Sequence, residues 1–150
     1  MAALFAFLHH LAAFALVSAL AIEIGVTRDE LTLEKARVFL NADRIFGVAA
    51  GVLLVVGLLR VALFEKGSAY YMHSAPFIAK FSLFVIVGLL SIYPTVQALS
   101  WRSTLKANTA PSVPLEKMNR IRSIIRLEGV GVVLIILCAA LMAKGIGTFG

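Results

Sequence analysis

Four long apolar runs alternate with short polar stretches along this chain, covering about residues 2–24, 45–64, 77–99 and 124–142. A helix needs roughly 20 residues to cross the hydrocarbon of a bilayer, and each run has about that length. The strands of a membrane barrel are about 10 residues long and alternate in polarity. These runs do not alternate. The pattern predicts an all-α protein, an integral membrane four-helix bundle forming one domain over residues 1–150, with no internal repeat. The first run has no positive segment before it and no small-residue cleavage site after it, so it reads as a retained span rather than a leader.

The connections are short. Thr27 and Glu30 have capping-box spacing and predict a helix start there, with Leu31–Asp43 helical and running on into the second span. Gly67 and Ser68 open the second connection, and Pro76 sits where a helix accepts proline, in its first turn. The third connection, 108–114, is rich in Thr, Pro and Ser. Pro114 starts a helix that enters the membrane. Its first turns put Leu115, Met118, Ile121 and Ile125 near one face and Lys117, Arg120, Arg122 and Arg126 on the rest, a basic amphipathic segment of interfacial type.

Composition sharpens this reading. The chain is 61% hydrophobic and 15% charged, against about 25% charged in soluble domains. That excess of apolar surface calls for lipid as the outer solvent. The net charge of +6 does not point to nucleic acid, because aromatic residues are not interleaved with the bases. The bases gather instead in the first connection (Arg28, Lys35, Arg37, Arg44) and the third (Arg102, Lys106, Lys117, Arg120, Arg122, Arg126). The positive-inside rule puts those connections in the cytoplasm. Both termini then lie on the outer side of a bacterial inner membrane. Cys138, the single cysteine, reads as a small apolar residue.

Ionisable residues at membrane depth are costly and usually functional. His9 and His10 stand in the outer half of the first span. Neighbouring helix positions are about 100° apart, so the two cannot face one site. His9 shares a stripe with Ala12, Ala13, Leu16, Leu20 and Glu23, which predicts that it faces the bundle. His10 shares its side with Phe14, Val17 and Ala21. Arg60, Lys80 and His73, the last following Tyr70, Tyr71 and Met72, fall at the same outer level. An imidazole there can ligate haem iron, and Arg60 or Lys80 can pair with propionates. The competing expectation is plain packing: a histidine bonded to a neighbouring helix and cations reaching for the interface.

Glu23, Asp43, Arg44, Arg126 and Glu128 form a second polar group at the cytoplasmic level. Ion pairing is the ordinary expectation for such a set. The functional alternative is a proton route or a way in for substrate. Pro94 is expected to kink the third span, with Tyr93 and Gln97 adding hydrogen bonds. Gly47 and Gly51 are spaced for close helix packing, in the bundle or in a dimer.

The text LHHLAAFALVSALAIE, ADRIFGVAAGVLLVVGLLRV, KGSAYY and AKFSLFVIVGLLSIYPTVQALSWR resembles a family of small bacterial four-span membrane proteins of unknown function, over nearly the whole chain. More distantly, the layout is similar to HemJ-type protoporphyrinogen oxidases and CopD-like membrane domains. His9 and Lys80 match the early first-span histidine and early third-span lysine of the HemJ type. That resemblance implies a haem b with His9 as axial ligand and Lys80 beside it. The aromatic and Pro-Arg pair that follow the histidine in that family are missing, and its third-span histidine is replaced near Tyr93 and Pro94, so the oxidase activity does not carry over.

Three functions follow as expectations. The first is a haem b protein in electron transfer or oxidation, with His9 on the iron and Arg60 on a propionate. His10 of a second copy, His73, neutral Lys80 or nothing supplies the other ligand, and a homodimer gives room for the macrocycle beside a separate redox partner. The second is copper handling through His9, His10, Met72 and His73, donors that suit copper. The third is a non-catalytic scaffold or assembly partner.

Overall fold

The computed structural model describes residues 1–64 and 73–147. Its elements are α1 (Ala2–Val26), α2 (Leu33–Leu59), a π-helical turn (Arg60–Phe64), α3 (Ala75–Ser100), the short α4 (Arg102–Lys106) and α5 (Leu115–Ala143). Four helical stretches are long and apolar enough to cross a membrane. At 1.5 Å per residue, the 25 residues of α1 reach about 37 Å, enough to span a hydrocarbon core of about 30 Å.

α1 packs along α2, and α3 along α5. The two pairs join through α2 with α3 and α1 with α5, while α1 and α3, and α2 and α5, do not approach each other among the described residues. The four helices therefore form a ring of neighbours. One end of the bundle holds the start of α1, the end of α2, the start of α3 and the end of α5; we call it the terminal end. The opposite, basic end holds the connections that follow α1 and α3. At the terminal end the chain closes on itself: the Ala75 amide donates to the Gly147 carbonyl at 3.0 Å. Gly147 has φ +82°, and a Cβ there would lie 3.0 Å from the Pro76 ring, so glycine is needed for both conformation and space.

In lipid, apolar side chains gain little by leaving the solvent, so helices associate through close packing of small residues. Ala12 and Ala19 on α1, Ala36, Ala42 and Ala49 on α2, and Ala98 on α3 are all buried. Gly131 on α5 comes so near α3 that a Cβ would stand 2.5 Å from Val87 Cγ2. By contrast Ile45, Val48 and Val55 face outward, as lipid-facing residues do. Gly47 and Gly51 are exposed too, with nothing within 4 Å of a Cβ. They do not serve packing within the bundle; buried Ala42 and Ala49, one helix face away, do. The core is thickest toward the basic end, where Phe39 and Trp101 meet with ring centroids 5.5 Å apart.

Two element boundaries differ from expectation. Thr27 does not start a helix. It ends α1, and its hydroxyl donates to the Glu23 carbonyl at 2.7 Å. The start belongs to Thr32, whose extended backbone lets its hydroxyl accept the Lys35 amide at 3.2 Å. α1 runs on to Val26, so Thr27 becomes its stop and the cap of α2 falls to Thr32. The expected continuity from the first connection into the second span holds, since α2 is unbroken from Leu33. Pro76 lies in the first turn of α3, and α5 begins directly after Pro114. α5 buries Met118, Ile121 and Ile125, but Leu115 is 72% exposed. Gly67, Ser68, Tyr70, Tyr71 and Met72 lie outside the described residues.

Candidate functional site

Three carboxyl side chains come together inside the bundle, at the level where the apolar stretches begin from the basic end. Glu23 is 2% exposed, Asp43 5% and Glu128 1%. They arrive from α1, α2 and α5, within electrostatic reach of one another. Each is placed by its helix phase. Glu23 continues the buried stripe of Ala12, Leu16, Ala19 and Leu20; Asp43 follows Ala36, Phe39 and Leu40; Glu128 follows Ile121 and Ile125. These acids thus occupy core positions of otherwise apolar faces.

Their partners are few. Thr95 on α3 donates its hydroxyl to Asp43 Oδ1 at 2.7 Å, so all four spans contribute to the site. The Oε1 atoms of Glu23 and Glu128 are buried with no hydrogen-bond partner. A buried carboxylate without a compensating charge or hydrogen bond is costly, and three near each other repel as well. Among the described residues no lysine, arginine or histidine makes an ion pair with any of them. The expected pairing with Arg44 and Arg126 is therefore not formed. Arg44 follows Asp43 directly and so lies about 100° round the helix, and Arg126 precedes Glu128 by two positions, about 200° away. Both arginines are exposed.

The residues expected at the outer level share the terminal end of the bundle. His9 is half-buried and packs on α2 at Gly57, where a Cβ would lie 3.4 Å from the imidazole Cε1. Of its expected stripe Ala12, Leu16, Leu20 and Glu23 are buried and Ala13 is half-buried, while His10, Phe14, Val17 and Ala21 are exposed. The His10 ring stands edge-on to that of His9, at 85° and 6.2 Å between centroids, with Nδ1 2.6 Å from the Ala6 carbonyl oxygen. Arg60 opens the π-helical turn. Lys80 Nζ lies 5.8 Å from the centre of the Phe77 ring. His73 is exposed. Among the described residues no three His, Cys, Asp or Glu side chains converge as a metal-ion ligand set.

Sequence reasoning did not single out Thr95. Tyr93 and Gln97 were the expected hydrogen-bonding pair, yet the bond to Asp43 comes from the residue between them. The Tyr93 ring instead lies 5.8 Å from the Arg120 guanidinium carbon. A hydroxyl inside an apolar run, on the turn after Pro94, was the available signal.

Four membrane-crossing helices agree with what comparison of the sequence finds. A family model described as "Predicted membrane protein (DUF2214)" matches residues 1–147. The chain belongs to the DUF2214 family. The match covers all four spans, and the family's function is not known. No curated protein and no solved structure matches the chain.

Proposed function

We propose that this member of the DUF2214 family is a proton-binding protein of the bacterial inner membrane, taking up and releasing protons at Glu23, Asp43 and Glu128 in support of proton-coupled transport or redox chemistry. The observation that carries this reading is the pair of buried, unpartnered Oε1 atoms of Glu23 and Glu128. Acidic groups facing a membrane bundle's interior are the usual stations of proton relays. Neutralising such a cluster takes a bound proton or a cation, and among the described residues no cationic side chain pairs with it. Thr95 holds Asp43 while leaving the two glutamates to exchange. The positive-inside rule supports a cytoplasmic basic end, with both termini outside. Infrared titration of the protein in lipid tests the proposal. Carboxylic-acid C=O bands should appear and shift in deuterated water, and Glu23→Gln and Glu128→Gln should each remove one. Spectra unchanged by both substitutions overturn it.

A second reading places a haem b at His9. Supporting it is the close seat of the imidazole on Gly57, which a larger residue would fill, so the ring is braced against α2. A bound haem would supply one-electron chemistry. His9 would hold the iron and Arg60 a propionate, while His10, facing outward, would serve only a site shared with a second copy. Reduced-minus-oxidised spectra of the purified protein, with metal analysis for copper on the same sample, test this. Haem bands lost in His9→Ala support it, and a colourless protein from haem-replete cells overturns it.

A further inference from the structure

Where α1 ends against α5, Ile24, Thr27, Arg28, Arg122, Ile125 and Arg126 line a cavity of about 90 Å³. Arg122 is anchored in it. Its Nε donates to the Thr27 carbonyl at 2.6 Å, one Nη to the Asp29 carbonyl at 3.1 Å and the other to Asn119 Oδ1 at 3.3 Å. The first bond caps the C-terminal end of α1, where a cation suits the helix dipole, the second holds the connection just beyond it, and together they fix the guanidinium in place. The side chains of Arg28 and Arg126 are exposed and form no ion pair or hydrogen bond with any described residue.

Among the described residues no carboxylate lines the cavity. Asp29, the acid next to Arg28, is paired with Lys35 at 3.2 Å. Three guanidinium groups around one small hollow repel each other unless an anion joins them, and guanidinium is the side chain that best matches phosphate oxygens. Ligand pockets for whole organic molecules start at roughly 300 Å³, so this cavity suits a single phosphate group and not a nucleotide. It also stands at the edge of the apolar layer: the membrane-length helix α1 ends at Val26, and Ile24 and Ile125 form its apolar walls. A headgroup phosphate sits at that level with its acyl chains beside the helices, and basic pockets between spans are known to take such headgroups.

We infer that this cavity binds the phosphate group of an anionic phospholipid, paired with Arg28 and Arg126 and positioned by Arg122. The inference does not depend on the acid site. The test is lipid retention by the full-length protein in detergent, followed by native mass spectrometry with phosphatidylglycerol, phosphatidylcholine or inorganic phosphate added. Phosphatidylglycerol should bind in preference. Arg28→Gln and Arg126→Gln should each weaken it about fivefold, and together about thirtyfold. Both variants should fold, because neither side chain holds a bond in the structure. Arg102→Gln, at the same end but outside the cavity, should change nothing. Equal binding of phosphatidylcholine, or a double variant that binds as the wild type does, overturns the site. Inorganic phosphate binding as tightly as phosphatidylglycerol overturns the lipid as its source.

Discussion

Thr95 on α3 gives its hydroxyl hydrogen to Asp43 on α2, at 2.7 Å. This bond joins the two helix pairs at the level of the buried acids. Replacing Thr95 by valine keeps the shape but leaves a buried carboxyl without its donor, at a cost of about 1–3 kcal/mol. Thr95→Val should therefore lower the unfolding temperature in detergent, and Thr95→Ser should restore most of the loss. Equal stability of all three forms would mean that Asp43 does not rely on this hydroxyl.

The packing of α3 on α5 depends on Gly131, since a Cβ there would stand 2.5 Å from Val87 Cγ2. Overpacking of that kind costs about 1–3 kcal/mol. Gly131→Ala should be destabilised by that order, and Val87→Ala in the same chain should recover part of it. The recovery separates steric conflict from any effect on helix propensity, which favours alanine.

Much of the bundle was written in hydrophobic periodicity. The stripe Ala12, Leu16, Leu20, Glu23 announced the buried face of α1, and Met118, Ile121, Ile125 that of α5, because helix phase alone decides which residues share a side. The same periodicity put Glu23 on the buried face of α1, whereas Glu128, expected only as a member of an ion-paired group, extends the buried face of α5. Helix phase also turns Arg44 and Arg126 away from the acid on their own helix, but it does not say whether either reaches an acid on another helix, and the expected ion pairs rested on charge alone. The Thr95–Asp43 bond joins residues 52 positions apart, and only the assembled bundle sets such a distance. The misplaced start at Thr27 is local: capping-box spacing with Glu30 does not show that α1 runs to Val26 and makes Thr27 a stop.

The connection after α4 is held by Arg37 of α2, which donates to the Leu105 carbonyl at 3.3 Å and to Asn108 Oδ1 at 2.7 Å. Asn108 has φ 58°, a left-handed conformation that asparagine tolerates and β-branched residues do not. Arg37→Ala should speed proteolytic cleavage between residues 107 and 114 with little change in the spans. Asn108→Gly keeps the left-handed backbone but loses the Oδ1 acceptor, so it should be cleaved faster than the wild type and more slowly than Asn108→Val, which loses both.

The buried acids make a prediction of opposite sign to most core substitutions. Removing a polar group from a core usually costs stability when a partner is left behind. Glu23 Oε1 and Glu128 Oε1 have no partner to leave, and each carboxyl stands within reach of two others. Glutamine keeps the shape and removes the charge. Glu23→Gln and Glu128→Gln should therefore unfold at the same temperature as the wild type or higher, and the double variant should not fall below either single one. The measurement is thermal unfolding in one detergent, with reconstitution to check insertion. A loss of several kcal/mol in either variant would reverse the conclusion, because it would mean that the anionic form is held by a bound cation whose coordination glutamine cannot replace.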